Sequence, residues 1–274
     1  WNRSDKHSDE ANKVMHLLGI EHLVGRDVRT LSAGERQKVA LARALAVNPK
    51  ALLLDEPFSA LDPLAREKLR RELKSVLIKI LHMLELPVIY VTHDLSEALV
   101  MSDKIAVMSS GRIEQVGSKD EVFENPSSQF VAEFLGFNVF DGHVISAKDD
   151  TLIVDVNGVT IQTKAGNIVP GEGVTVVLKP QDVSLSLDSE ITKPKWKQCR
   201  CNIIQGMVTD ICNMGSIARI LVDAGIQLRS DVSIDLLDEL DITVGSTIFA
   251  QFRAHKAKLI LKQMKHTAES CTSI

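Results

Sequence analysis

The hydrophobic pattern changes period once, near Phe137, and that change limits the chain to a layered α/β part followed by a β part. Upstream, Val14, Leu17, Leu18 and Ile20 recur at helical spacing between Glu10 and His22, and Gly25 ends that segment. Ser32 and Glu35 form an S-x-x-E capping box, which opens a helix that runs through Ala40 to Leu45 and stops at Asn48 and Pro49. The four apolar residues from Ala51 to Leu54 are too short a run for a helix and suit a buried strand of a parallel sheet. Asp62 and Pro63 pair as N-cap and first-turn residues of a long charged helix that Pro87 closes. A second buried strand, "VIYVT", ends at His93; helix signals from Leu95 to Met101, a strand at "KIAVMSS", a turn at Gly111 and a strand at "IEQVG" carry the alternation to about Gly136.

Downstream of Phe137 the texture becomes short alternating runs broken by Gly, Asn and Asp: "GHVISA", "TLIVDV", "VTIQT" and "VTVVLKP". A second set, "GMV", "ARILVDAGIQL" and "TVGSTIFAQFRAHKAKLIL", echoes the first about 65 residues later, which predicts a duplicated small β-barrel of the oligonucleotide-binding-fold type. The expected division is residues 1–137 and 138–274. A chain of 274 residues accommodates two such domains, since each usually needs about 100 to 200 residues.

Composition narrows the partners. A formal charge of -4 with no obvious basic patch argues against nucleic acid, and no apolar run approaches the roughly 20 residues that cross a membrane. Cys199, Cys201, Cys212 and Cys271 follow no paired zinc-knuckle spacing and read as reduced thiols. The polar start "WNRSDKHSDEANK" lacks both an initiator Met and a secretion signal, so the sequence is expected to begin partway through a longer frame.

The chemistry concentrates between residues 31 and 94. Asp55 and Glu56 stand at the carboxyl end of a predicted parallel strand, the edge where α/β sheets collect ligands. An Asp there can hold Mg²⁺, and its neighbour can orient or deprotonate an attacking water. His93 ends the adjacent strand, within reach of a γ-phosphate. The helix opened by Ser32 presents free N–H groups and a positive dipole end, and Gly34 permits close approach of an anion. Singly, an acidic strand end, a histidine or a capping box is more often structural; together, in this order and on these elements, they point to phosphoryl chemistry.

"LSAGERQ", "LLLDEP", "SALD" and "VTHD" resemble the signature motif, Walker B, D-loop and H-loop of the ATP-binding subunits of ABC transporters, over Asn12 to about Gly136. The resemblance implies ATP and Mg²⁺ as ligands. It makes Asp55 the Mg²⁺ ligand, Glu56 the catalytic carboxylate and His93 the γ-phosphate contact. It places Asp62 in a dimer seam and closes Ser32, Ala33 and Gly34 of one subunit over the γ-phosphate of another. Ala33 replaces the usual Gly, and Glu35 replaces the common Gln while keeping the capping box.

A phosphate cradle needs G-x-x-x-x-G-K-[ST], yet no Gly-Lys pair occurs in the 274 residues; the Q-loop and adenine-stacking aromatic are missing too. By the same resemblance, Asp55, Glu56 and His93 would act on nucleotide gripped by their own chain's cradle. The isolated chain is therefore expected not to hydrolyse ATP without a complete partner subunit.

"VLKPQDVSL", Val177 to Leu185, resembles the regulatory β-domain appended to ATPases of binding-protein-dependent importers, and the last repeat resembles molybdate- or tungstate-binding barrels. Candidate oxyanion contacts are Lys197, Arg200, Asn202 and Ser233, with Asp235 close enough to oppose an anion. The resemblance implies the energy-coupling ATPase of an importer, for molybdate or tungstate, on the cytoplasmic face of the membrane. Its partners are a second ATPase subunit, transmembrane permeases and, indirectly, a solute-binding protein. The alternatives are an importer ATPase for iron, sulfate, polyamine or sugar, and a non-enzymatic oxyanion-binding module. A chromosome-associated ATPase is disfavoured because a terminal β-barrel stands where coiled-coil arms or zinc modules belong.

Overall fold

The computed structural model describes residues 5–57, 75, 77–78, 86–148, 150–164, 166, 168–187 and 200–261. The chain divides into two compact units, Trp1–Ile105 and Ala106–Ile274.

In the first unit, helix α1 (Asp5–Leu18) ends where Gly19 turns left-handed at φ 63°. The helix expected from Glu10 to His22 is thus interrupted, and its end becomes a separate 3₁₀ turn, Glu21–Leu23. Helix α2 (Ala33–Leu45) begins at the predicted capping box: Glu35 N–H donates to Ser32 Oγ at 3.2 Å and Ser32 N–H donates to Glu35 Oε2 at 2.7 Å. Val14 and Leu18 of α1 and Ala42 and Leu45 of α2 pack on Leu52, Leu54 and Val88. Those last three belong to strands β1 (Leu52–Asp55) and β2 (Val88–Val91), which pair in parallel from Leu52 opposite Val88 to Asp55 opposite Val91.

Parallel pairing is as the sequence predicts; full burial of these strands is not. Leu53, Ile89 and Val91 are 72%, 62% and 50% exposed. Successive side chains of a strand point to opposite faces, and the packed cluster of α1 and α2 side chains reaches one of them. Helix α3 (Leu95–Met101) follows β2, capped by Asp94, whose carboxylate accepts from Ser96 and Glu97 N–H. Asp62, the "SALD" segment and most of the charged helix it opens lie outside the described residues.

Strands β3 (Lys104–Ser109) and β4 (Arg112–Ser118) are joined through Ser110 and Gly111, both at positive φ, 48° and 75°, the backbone of a tight hairpin turn. Two short helices, α4 (Lys119–Glu124) and α5 (Gln129–Phe134), precede the predicted β repeats. The end of α4 is tied to that β region by Lys179 on Glu124 at 2.5 Å and by Lys258 on Asn125 Oδ1 at 2.8 Å.

The first repeat contains β5 (Asn138–Lys148), β6 (Thr151–Val156), β7 (Val159–Lys164), β8 (Gly173–Leu178) and β9 (Ser184–Ser186). The second contains β10 (Cys201–Asn213), β11 (Ile217–Asp223), β12 (Gln227–Ser233), β13 (Thr247–Arg253) and β14 (Lys258–Leu261), with helix α6 (Ile234–Glu239) after β12. The two five-stranded sheets run β14-β8-β5-β6-β7 and β12-β11-β10-β13-β9. Each repeat therefore donates its last strand to the other's sheet. One core serves both, with Leu152, Val154, Ile161 and Val176 of the first repeat packed with Ile220, Leu228 and Ile248 of the second.

The repeats are also cross-braced. Asn138, at the start of β5, donates to the Arg229 carbonyl at 2.9 Å and accepts from its N–H at 2.7 Å. Asn202, near the start of β10, does the same to Gln162, at 2.8 and 2.7 Å. Both amides are buried. Further along, a Cβ on Gly142 would stand 2.5 Å from the Asp155 carbonyl, and one on Gly206 2.7 Å from that of Asp223, so both strands need glycine at the same place.

Removing a brace strands two main-chain groups in the interior. Asn202→Ala and Asn138→Ala are each expected to destabilise this unit by about 1–3 kcal/mol, read by chemical denaturation. Because the two sites are equivalent, the two losses are expected to be of similar size.

Candidate functional site

The parallel pair β1–β2 brings one carboxylate and one imidazole together at its carboxyl end. Glu56 directly follows β1, and its N–H donates to the Val91 carbonyl at 2.9 Å, extending the ladder by one step. It does so at φ 40°, a left-handed conformation uncommon for a non-glycine residue. From that position Oε1 reaches His93 Nδ1 at 2.9 Å, across the end of β2. The hydrogen bond to Glu56, reinforced by its charge, raises the His93 pKa above its ordinary value. With the carboxylate on Nδ1, the opposite ring nitrogen, Nε2, has no partner among the described residues. Asp55 ends β1 as an exposed carboxylate, an oxygen ligand of the kind hard cations take.

The loop that carries His93 is held from behind by a residue the sequence reading did not single out. Glu97, buried in α3, accepts from the Tyr90 hydroxyl at 2.9 Å and the Thr92 hydroxyl at 2.7 Å. The Thr92 hydroxyl in turn accepts from Asp94 N–H at 3.0 Å. The available signal was the D-x-x-E spacing from Asp94 to Glu97, which repeats the N-terminal pattern seen at Ser32 and Glu35.

At the start of α2, Ser32 and Ala33 are exposed and Gly34 is half-buried. Glu35 is committed to the Ser32 main chain, and that hydrogen bond, first among several causes, holds its carboxyl below the usual range. Arg26 at 3.9 Å and His22 at 4.0 Å lie beside the same carboxylate, so the negative charge that replaces a neutral amide here has two basic neighbours. The Arg36 guanidinium donates to the Leu31 carbonyl and fixes the entry into the helix.

Among the described candidate oxyanion residues, Arg200, Asn202 and Ser233 each hold a separate structural partner. Arg200 Nη1 donates to the Asp150 carbonyl at 3.2 Å and faces its carboxylate at 3.7 Å. Asn202 is the buried brace on Gln162, and Ser233 Oγ caps α6 by accepting from Leu236 N–H at 3.2 Å. Lys197 lies outside the described residues.

The ABC transporter family model matches residues 2–59. The spermidine/putrescine import ATP-binding protein PotA of Legionella pneumophila is 34% identical over 248 residues, 87% of this chain and 64% of that protein. The sulfate/thiosulfate import ATP-binding protein CysA of Halalkalibacterium halodurans is 40% identical over 246 residues, with the same shares. The molybdate/tungstate import ATP-binding protein WtpC of Pyrococcus abyssi is 38% identical over 252 residues, 91% of this chain and 68% of that protein. This chain belongs to the ATP-binding subunits of ABC importers. It spans about two thirds of the length of such relatives, 64% for the first two. Those three ATP-binding subunits are named for three different classes of solute, so membership of the family leaves the solute open. No helix among the described residues of this importer subunit is long and apolar enough to cross a membrane.

The His93–Glu56 contact has a direct readout. In ring-proton NMR, His93 is expected to titrate above its ordinary range, and Glu56→Gln is expected to bring it back down. A raised histidine pKa means that the charged contact is lost as pH rises through the raised value, so the contact weakens on the alkaline side.

Proposed function

We propose that this chain is part of the energy-coupling subunit of an ABC importer, hydrolysing ATP at a site it shares with a second ATPase subunit and working with transmembrane permeases at the cytoplasmic face. The observation that carries the reading is the 2.9 Å contact between Glu56 and His93 at the carboxyl end of a parallel strand pair, where phosphoryl ligands collect. Asp55 is the residue that would hold Mg²⁺; bound Mg²⁺ and ATP supply the transferable phosphoryl group and neutralise its charge. Glu56 is placed to orient an attacking water. His93, its pKa raised by Glu56, is held toward the imidazolium form, and its Nε2 can then donate to a phosphate oxygen.

Ser32, Ala33 and Gly34 form the second contact surface, directed at nucleotide held by the other subunit through the N–H groups at the start of α2. Asp62 is assigned to the seam between the subunits. The nucleotide-handling region is taken to end at residue 137 and the regulatory β domain to begin at 138. For the solute we favour molybdate or tungstate, supported by the similarity to WtpC, over the polyamine and sulfate classes of PotA and CysA.

Nothing in the 274 residues matches G-x-x-x-x-G-K-[ST], so the chain by itself has no cradle for the β- and γ-phosphates. The isolated chain is expected to show no ATPase activity and no low-micromolar affinity for a fluorescent ATP analogue. In a mixed dimer with a subunit that carries the cradle, activity is expected at the site closed by Ser32, Ala33 and Gly34, whereas Asp55, Glu56 and His93 act only where a cradle stands on their own chain. Saturable low-micromolar nucleotide binding by the purified chain would overturn this assignment of roles.

A further inference from the structure

The His93 ring is 74% exposed, so side-chain packing does not fix its place. Its backbone has little support from the sheet either. Strand β2 ends at Val91, and residues 92–94 belong to neither β2 nor α3. The ring nevertheless meets Glu56 at 2.9 Å across the ends of two strands. A contact of that length between two exposed side chains needs a loop held at one height above the sheet.

Among the described residues of the first unit, Glu97 is the only acidic or basic residue that is buried. Burial of a carboxylate is costly unless hydrogen bonds replace its lost water. One oxygen of Glu97, Oε2, accepts from both the Tyr90 hydroxyl at 2.9 Å and the Thr92 hydroxyl at 2.7 Å. The two donors differ in what lies behind them. Tyr90 is a residue of β2, already fixed by its pairing with Leu54. Thr92 is the first residue past the strand, and its hydroxyl also accepts from Asp94 N–H at 3.0 Å. A hydroxyl that donates to a carboxylate is polarised into a better acceptor, so the two bonds reinforce one another. The peptide neighbours of His93 on both sides are thereby tied to one buried charge. Asp94 closes the loop on its other side, accepting from Ser96 and Glu97 N–H at 2.8 and 3.1 Å.

We propose that Glu97 is a positioning residue for His93, acting through the Thr92 hydroxyl to hold the imidazole against Glu56. Glu97 touches neither ring nor phosphate. Its consequence is which ring nitrogen carries the proton: with Nδ1 held on the Glu56 carboxylate, the neutral ring keeps its hydrogen there, whereas a neutral imidazole released from that contact favours the Nε2–H form. The Nε2 edge is thus turned outward in one defined state. The catalytic meaning of that state rests on the role given to His93 under the proposed function; the positioning itself does not.

Long-range proton–nitrogen NMR of the full chain without nucleotide, above the His93 pKa, tests this. The His93 signals are assigned by their loss in His93→Gln. The parent ring is expected in the Nδ1–H form. Thr92→Val removes the hydroxyl while keeping the side-chain shape and the Glu97 charge, and is expected to lower the ratio of Nδ1–H to Nε2–H at least about tenfold, the scale of one lost hydrogen bond to a charged group. Thr92→Ser is expected to restore it. Tyr90→Phe takes a hydroxyl from the same Glu97 oxygen but is expected to leave the ratio unchanged, which a general loosening of the helix would not do. Thermal unfolding confirms that each variant folds. An unchanged ratio in Thr92→Val overturns the proposal, as does an equal fall in Tyr90→Phe or a parent ring in the Nε2–H form. Nucleotide binding by the isolated chain would overturn the proposed function and leave this readout unchanged, so the two failures are told apart.

Discussion

A buried side-chain amide has to find partners for both its donor and its acceptor, and in this protein that requirement is met across the two β repeats. Asn138 and Asn202 each close two main-chain hydrogen bonds on a strand of the opposite repeat. Without them a carbonyl and an N–H would be left inside the unit at full desolvation cost. The exchange of last strands follows the same logic: β9 and β14 each complete a sheet by pairing with a strand that is not their sequence neighbour, β13 and β8. Neither repeat has a complete sheet of its own, and the apolar residues of both fill one core.

Commitment of polar groups also decides which residues remain available for chemistry. Asn202, Ser233 and Arg200 have the composition of an anion site, but each is occupied in holding strand, helix or turn. Arg229 is the reverse case, with its main chain fixed and its guanidinium left unpaired among the described residues. In the first unit the same accounting separates Glu97, a buried carboxylate consumed in supporting a loop, from Asp55, exposed at the strand end. Glu56 and His93 lie between these extremes, joined by one hydrogen bond from the imidazole to the carboxylate while both stay open to solvent.

Much of this was legible in the residues. The S-x-x-E box at Ser32, the parallel pairing of the strands ending at Asp55 and Val91, and the duplication of the β region all follow from short-range patterns. Capping and strand periodicity are set within a few residues of chain, and no distant contact is needed to fix them. The break at Gly19 escaped because a helical hydrophobic rhythm continues past the residue that takes positive φ. The braces left a trace that was not read as one: the spacing N-x-x-x-G occurs at Asn138–Gly142 and again at Asn202–Gly206.

By itself the sequence determined the element types and their order and brought out the motif spacing around the acidic strand end, because periodicity, caps and motif spacing are local properties of the chain. Only the tertiary structure decided which strands exchange partners, which face of β1–β2 is covered, and which polar residues are already spent. Those outcomes depend on contacts between residues far apart in sequence, such as Asn138 with Arg229, and a one-dimensional pattern carries no record of which distant donor meets which acceptor.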